Sequence, residues 1–230
     1  MHWSEKIAKD IIKRSPDKEE YVCAAGISPS GSIHIGNFRD IATSYFVYKA
    51  LIKQGKNARL LFSWDEFDRF RKVPVNVKEV APELENEIGK PYVDVKDPYG
   101  CCSSYAEHFE KEFEASLSRF GVEVDFRRQS ENYRSGKYAK YVIQAVQKRR
   151  EIFDILDKFR QQVATPEERE AYYPVSIYCP VCGKDETTIT SSSEDGVTCE
   201  YTCKCGHKGT WDFSKDFNCK LAWKIDWPMR

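Results

Sequence analysis

The run Tyr21-Val22-Cys23-Ala24-Ala25-Gly26-Ile27-Ser28-Pro29-Ser30-Gly31-Ser32-Ile33-His34-Ile35-Gly36-Asn37 sets the architecture of this chain. Its first five residues are an apolar run ending at Gly26, which reads as a buried strand. A loop rich in Gly, Ser and Pro follows, from Gly26 to Ser32. Phe38, Ile41, Tyr45, Tyr48 and Ile52 then recur every three or four residues and predict a helix closed by Gly55. Ala58 to Trp64 is a second buried strand. Strand, loop, helix and strand make a right-handed βαβ unit, the opening of a doubly wound parallel sheet. Before it, Ile7, Ala8, Ile11 and Ile12 mark a short amphipathic helix over Glu5 to Lys13.

The loop carries chemistry as well as topology. Backbone N–H groups and the positive dipole end of the following helix attract phosphate, and His34 and Asn37 add directed donors. Gly36 removes a side chain where a flat base can pack against the backbone. The loop also lies at the first strand-to-helix crossing, where such sheets bind ligands. Pro29, Ser30, Gly31, His34, Gly36 and Asn37 are therefore the expected ATP-binding residues.

The chain has 230 residues, 41% hydrophobic and 31% charged, with 36 basic and 36 acidic side chains. That composition belongs to a globular protein of one large domain or two compact ones. A formal charge of zero argues against coating nucleic acid by bulk electrostatics. The balance is nonetheless uneven. Residues 79–114 hold ten acids and three bases, while residues 127–160 hold ten bases and four acids. The second stretch predicts a long helix, Lys137 to Arg160, with Tyr141, Ala145, Ile152, Ile155, Leu156 and Phe159 along its apolar stripe. Tyr133, Tyr138 and Tyr141 interleave with its bases, so a nucleic-acid contact stands beside a solvated face as its reading. No apolar run approaches the roughly 20 residues that span a bilayer, and the N-terminus lacks a signal peptide's apolar core, so a cytoplasmic location and no membrane partner are expected.

Nine cysteines are an odd number, and clustered thiols in a reducing compartment are more often metal ligands than disulfides. Cys179-Pro180-Val181-Cys182-Gly183 is one half of a zinc knuckle. Its other half is Cys203-Lys204-Cys205-Gly206-His207, where Gly206 supplies the turn, with Cys199 or His207 as a substitute ligand. Four thiolates in tetrahedral array make a closed structural site. Asp97, Cys101, Cys102 and His108 form a second, weaker set on spacing alone, with Pro98 and Gly100 to bend the chain. Cys23 and Cys219 read as packing residues. Lys220 to Trp227 alternates apolar residues, which predicts a further sheet strand.

Pro29-Ser30-Gly31-Ser32-Ile33-His34-Ile35-Gly36-Asn37 resembles the HIGH-type motif of class I aminoacyl-tRNA synthetases. With His2-Trp3, Asp65-Glu66-Phe67-Asp68-Arg69, Arg71-Lys72-Val73-Pro74, Ser104-Tyr105-Ala106-Glu107-His108-Phe109 and Trp223-Lys224-Ile225-Asp226-Trp227-Pro228, the whole chain is similar to class I lysyl-tRNA synthetases. The resemblance implies a Rossmann-like parallel sheet with an inserted α+β zinc-binding subdomain. It implies activation of lysine by ATP with Mg2+, then transfer of the acyl group to tRNA(Lys). His34 and Asn37 would hold ATP phosphates. Gly26 and Ser28 match positions beside the lysine substrate, and Trp223 and Trp227 match aromatics near its pocket, with core packing the alternative for either. Asp65 and Asp68 would face the cleft, or else cap nearby backbone. Asp97, Cys101, Cys102 and His108 match a family metal site, in which His commonly stands where Cys102 does here. One or two structural Zn2+ sites follow.

The resemblance divides the chain into a catalytic opening (1–75), a mostly helical connective segment (76–171), a zinc ribbon (172–215) and a return strand into the sheet (216–230). Residues 1–230 contain no KMSKS-type run, the family's second signature. An N-terminal fragment that charges tRNA slowly or not at all is therefore expected. Another HIGH-type synthetase or nucleotidyl transferase, or a non-catalytic tRNA-binding module, are the alternatives.

Overall fold

A computed structural model describes residues 2–162 and 164–230. The chain forms two compact units. One holds the residues up to Glu66 with Pro74–Leu84 and Tyr92–Gln129; the other holds Phe67–Val73, Glu85–Pro91 and Ser130–Arg230.

In the first unit, α1 (Trp3–Arg14) precedes β1 (Tyr21–Ile27), α2 (Ile35–Lys53) and β2 (Ala58–Trp64). A single turn, α3 (Val75–Lys78), and α4 (Tyr105–Arg119) lead to β3 (Asp125–Arg128). The three strands form one parallel sheet in the order β1-β2-β3. Tyr21 pairs with Ala58 and Ile27 with Trp64, then Leu61 with Asp125 and Trp64 with Arg128. Parallel neighbours demand a crossover, which α2 supplies between β1 and β2. Ile41 from α2, Leu60, Phe62 and Trp64 from β2, and Phe113 and Leu117 from α4 form one core. Each large side chain fully withdrawn from water there contributes about 1.5–3 kcal/mol. Ala8, Tyr21, Val47, Ala50 and Leu51 form a second cluster, where α1 packs on α2. The expected βαβ unit is present, with α2 ending at Lys53, Gln54 as its C-cap and Gly55 taking a φ of +72° just beyond.

In the second unit, α5 (Gln129–Arg134) begins at the boundary and is followed by α6 (Ala139–Gln147), α7 (Arg149–Asp157) and α8 (Pro166–Ala171). Then come β4 (Val175–Ile177), β5 (Thr187–Ser192), β6 (Thr198–Cys203), β7 (Lys208–Asp212), β8 (Cys219–Leu221) and α9 (Trp223–Met229). β5, β6 and β7 form an antiparallel ribbon, and β4 pairs with β8 alone.

Three expectations are corrected here. The long helix over 137–160 is two helices interrupted at Lys148, and Phe159 lies exposed beyond the second. Tyr133 and Tyr138 are buried rather than aligned on a basic surface, leaving Tyr141 as the exposed ring of the three. The strand expected over 220–227 is confined to β8, which pairs antiparallel with β4, and the rest is helical. The physical reason is Asp226, whose side chain is fully buried. It accepts from the Tyr133 hydroxyl and takes ion pairs from Lys220 Nζ at 2.8 Å and Arg230 at 2.5 Å. Arg230 reaches Asp226 at helical i,i+4 spacing, and Pro228, near the end of this seven-residue helix, contributes no N–H to it.

Gly196, at φ +68° in the turn between β5 and β6, shows how tightly the ribbon sits on α6. A Cβ there would lie 2.7 Å from Gln147 Cγ and 2.8 Å from the Ile143 carbonyl oxygen. Gly55 has a similar φ but open space around it. Gly196→Ala is expected to cost about 2–4 kcal/mol, strain plus overpacking, and Gly55→Ala about 1 kcal/mol. Equal losses in urea titrations would sink the packing account.

Glu110 on α4 gives a second check. Its Oε2 meets Arg128 Nε at 2.9 Å, while its buried Oε1 has no hydrogen-bond partner. Burial pushes this carboxyl up to about 7, against the pull of the Arg128 guanidinium. Its contribution to stability is fully present below the ordinary value of 4.5 and is lost as the pH rises through about 7. Glu110→Gln should therefore gain stability relative to the parent between pH 5 and pH 8. An offset that stays constant across that range would rule out the raised carboxyl.

Candidate active site and metal centres

The loop from Gly26 to Asn37 joins β1 to α2 and places its polar groups at the head of a 19-residue helix. His34 is the N-cap, and its Nδ1 accepts from the Gly36 N–H at 3.0 Å. An imidazole that accepts at Nδ1 carries its proton on Nε2, so the exposed ring presents a donor. Gly36 is required by this cap: a Cβ there would lie 2.8 Å from His34 Cε1. The sequence had suggested room for a base at Gly36; the structure gives that space to the His34 ring. The Asn37 N–H is likewise engaged, donating to the His34 carbonyl at 2.9 Å. These two backbone N–H groups are therefore engaged within the turn, which leaves the His34 Nε2–H, the Asn37 side chain and the helix dipole as what the loop offers an anion.

Two neighbours hold the loop. Tyr105 donates its hydroxyl to the Ser30 carbonyl at 3.0 Å, and Ser32 Oγ donates to Glu112 Oε2 at 3.4 Å. Gly31 adopts φ +155°, a conformation that favours glycine, and Pro74 Cγ lies 3.4 Å from its would-be Cβ, a close but ordinary contact. Pro29 is buried beside it. Gly26, still in β1, donates its N–H to Asp40 Oδ2 at 3.3 Å, and Ser28 accepts from the Ser30 N–H at 2.8 Å. Asp65 is buried just past β2, with its N–H donating to the Ile27 carbonyl at 2.9 Å.

Asp68, Trp223 and Trp227 belong to the second unit. Asp68 and Trp223 line one open cleft of about 550 Å³ there, together with Arg69, Arg71, Asp185 and Lys220. Trp223 is 61% exposed and Trp227 41%, so core packing is not the role of either ring. Asp68 meets Lys220 Nζ at 3.2 Å, and the same ammonium meets Asp226. Lys220 and Asp226 escaped the sequence reading. Nothing in Cys219-Lys220-Leu221 marks its lysine as buried, because all three residues of β8 are withdrawn from water, without alternation.

The two cysteine-rich sets each converge. Ligand atoms of Cys179, Cys182, Cys203 and Cys205 all lie within 4.8 Å of one another. Sγ of Cys179 is 3.8 Å from that of Cys205, and Sγ of Cys182 is 3.6 Å from that of Cys203. Those spacings match the ~3.8 Å edge of a tetrahedron built on Zn–S bonds of about 2.3 Å. Cys199 is on the same buried face of β6 as Cys203, but four residues along a strand is about 13 Å, too far to ligate the same ion. Burial pushes the Cys203 thiol up to about 12, with the neighbouring thiols adding to it. Without a cation this thiol keeps its proton, and a divalent ion is what favours the thiolate.

Asp97, Cys101, Cys102 and His108 converge within the same limit. Cys101 Sγ is 3.8 Å from Cys102 Sγ and 3.2 Å from His108 Nδ1, which is 3.5 Å from Asp97 Oδ1. Gly100, at φ +68°, bends the chain so that adjacent thiols face one point. Asp97 Oδ2 accepts from the N–H groups of Cys101 and Cys102, both at 2.7 Å, and Oδ1 from Tyr99 N–H at 3.1 Å. Burial disfavours the Asp97 carboxylate, but these donors outweigh it and hold the group below its usual range. The carboxylate is thus fixed in orientation by second partners, as ligating acids are. His108 comes from the first turns of α4, whose N-cap Ser104 accepts from the Glu107 N–H.

The family described as tRNA synthetases class I (K) matches residues 1–230. Across its full length the chain is 46% identical to the lysine–tRNA ligase of Thermococcus kodakarensis, covering 43% of that protein. It is 40% identical to the lysine–tRNA ligase of Treponema pallidum, again over 43% of it. Against that of Methanococcus maripaludis it is 39% identical, over 42% of the relative. The chain thus spans less than half the length of these curated relatives. On a match that runs from the first residue to the last, the chain belongs to the class I (K) tRNA synthetase family.

Proposed function

We propose that this chain is the ATP- and lysine-binding part of a lysine–tRNA ligase. The observation that carries the reading is the His34-capped loop at the head of α2, in a chain whose relatives are named as such ligases. In the whole enzyme, lysine and ATP, with Mg2+, would give lysyl-adenylate and pyrophosphate, and the acyl group would pass to tRNA(Lys). The His34 Nε2–H would donate to an ATP phosphate oxygen as negative charge builds up during attack at the α-phosphate, and Asn37 would add a second donor. Pro29, Ser30 and Gly31 would shape the loop around the nucleotide. Gly26 and Ser28 would lie along the lysine with Asp65 beside them, while Asp68, Trp223 and Trp227 are the second unit's candidates for lysine contact.

Zn2+ fits both converged sets: four sulfurs for one, and two sulfurs, one imidazole and one carboxylate for the other. In the four-thiolate set the ion would tie the 179–183 turn to the end of β6, a structural role. The division into a catalytic opening (1–75), a connective segment (76–171) and a ribbon (172–215) belongs to the same reading. So does a cytoplasmic setting, which the reduced ligand thiols would need. No helix among the described residues is long and apolar enough to cross a membrane.

Isothermal titration with a non-hydrolysable lysyl-adenylate analogue should show binding, and His34→Ala should weaken it by roughly tenfold or more, the worth of a hydrogen bond to a charged group. Absence of binding to the parent chain would refute the proposal and leave a non-catalytic tRNA-binding module. Elemental analysis should find two zinc ions per chain, one in Cys182→Ser and two in Cys199→Ser. Loss of an ion on replacing Cys199 would overturn the ligand assignment.

A further inference from the structure

The helix that supplies His108 also holds the loop that carries the nucleotide-binding residues. Tyr105, His108 and Glu112 stand at i, i+3 and i+7 on α4, one stripe along the helix. Two of the three touch the loop: the Tyr105 hydroxyl donates to the Ser30 carbonyl at 3.0 Å and Glu112 accepts from Ser32 at 3.4 Å. Tyr105 is fully buried and has little freedom. Its ring packs against Phe109 at 4.7 Å and stacks on Tyr92 at 5.9 Å. Its own N–H donates to the Val95 carbonyl at 2.8 Å, two residues before Asp97. The residue is therefore tied at one end to the segment bearing the Asp97, Cys101, Cys102 and His108 ligand set and at the other to Ser30.

We propose that Tyr105 is a positioning residue that couples occupancy of the Asp97/Cys101/Cys102/His108 metal site to the placement of the Ser30–Gly31 loop, so that this ion braces nucleotide binding without touching the nucleotide. The inference rests on the ATP-binding reading of the loop. An ion at this site draws the 97–102 segment against the first turns of α4. That contact fixes the helix end from which the Tyr105 hydroxyl reaches Ser30. With the ion gone, the 97–102 segment keeps only the direct contacts of Cys101 and Asp97 with His108, and the hydroxyl and its carbonyl partner are held less firmly in one frame. The dependence is geometric: Gly31 has a backbone conformation that other residues rarely adopt, so the loop keeps its shape only where its neighbours over-determine it.

The test is a double-mutant cycle between Tyr105→Phe, which deletes only the hydroxyl, and His108→Ala, which empties the site while leaving the four-thiolate site intact. Amide hydrogen exchange of residues 28–32, measured without nucleotide, is expected to speed up in each single variant. It should rise little further in the double variant, because both changes break one chain of contacts. Tyr105→Phe should keep both zinc ions and stay folded, with a melting temperature lowered by no more than the few degrees one hydrogen bond is worth, yet bind the β,γ-imido analogue of ATP roughly tenfold more weakly. Parent-like exchange in Tyr105→Phe, or fully additive effects in the double variant, would overturn the coupling. Failure of the parent chain to bind the analogue would instead overturn the nucleotide reading, and the exchange data would still decide the brace.

Discussion

Parallel pairing of β1 with β2 is the constraint on which the first unit depends. Two parallel neighbours cannot be joined by a tight turn, so the chain must leave the end of β1, cross the sheet and return. α2 is that crossing. Its buried residues, Ile41, Val47, Ala50 and Leu51, hold it to the sheet and to α1. The loop that opens the crossing lies at the carboxyl end of β1, and the polar residues from Ser28 to Asn37 are collected there by topology rather than by any affinity for one another.

The second unit is organised on another basis. Its strands are short and its sheets small, and β4 with β8 makes only a three-residue pair. Two features compensate. One is the point where four thiols converge, from the Cys179–Cys182 turn and from the end of β6 onward, which on the proposed reading an ion would tie together. The other is the buried polar knot of Tyr133, Lys220, Asp226 and Arg230, where a carboxylate without exposure accepts from a hydroxyl at one oxygen and pairs with two cations at the other. A buried charge left without such partners would be costly, so the knot specifies how α9 must sit on its own unit.

Much of this was legible in the residues. The apolar runs 21–25 and 58–64 and the three-to-four spacing of Phe38 to Ile52 are direct consequences of burial on a sheet. The convergence of the two cysteine-rich sets was readable because thiols and imidazoles at turn spacing tend to be gathered at one point. The failures share a cause. Apolar alternation at Trp223, Ile225 and Trp227 is also compatible with a helix, and the residue that decides between the two, Asp226, finds its partners at Tyr133 and Lys220. The continuous helix over 137–160 and the expected surface rings at Tyr133 and Tyr138 failed similarly. Amphipathic spacing says which residues share a face, but neither whether the helix runs unbroken through Lys148 nor which face meets a neighbour. The internal N–H partners of the 34–37 turn were equally hidden, since a cap depends on a side-chain rotamer.

The His34 cap has a thermodynamic consequence. A glycine-rich loop in water samples many backbone states, and ordering it around a ligand would subtract from affinity. Here the Gly36 N–H, the imidazole, the Tyr105 hydroxyl and Pro74 against Gly31 already confine it. Most of the ordering cost is charged to folding rather than to binding, so on the proposed reading an incoming phosphate would meet a loop already ordered before the encounter.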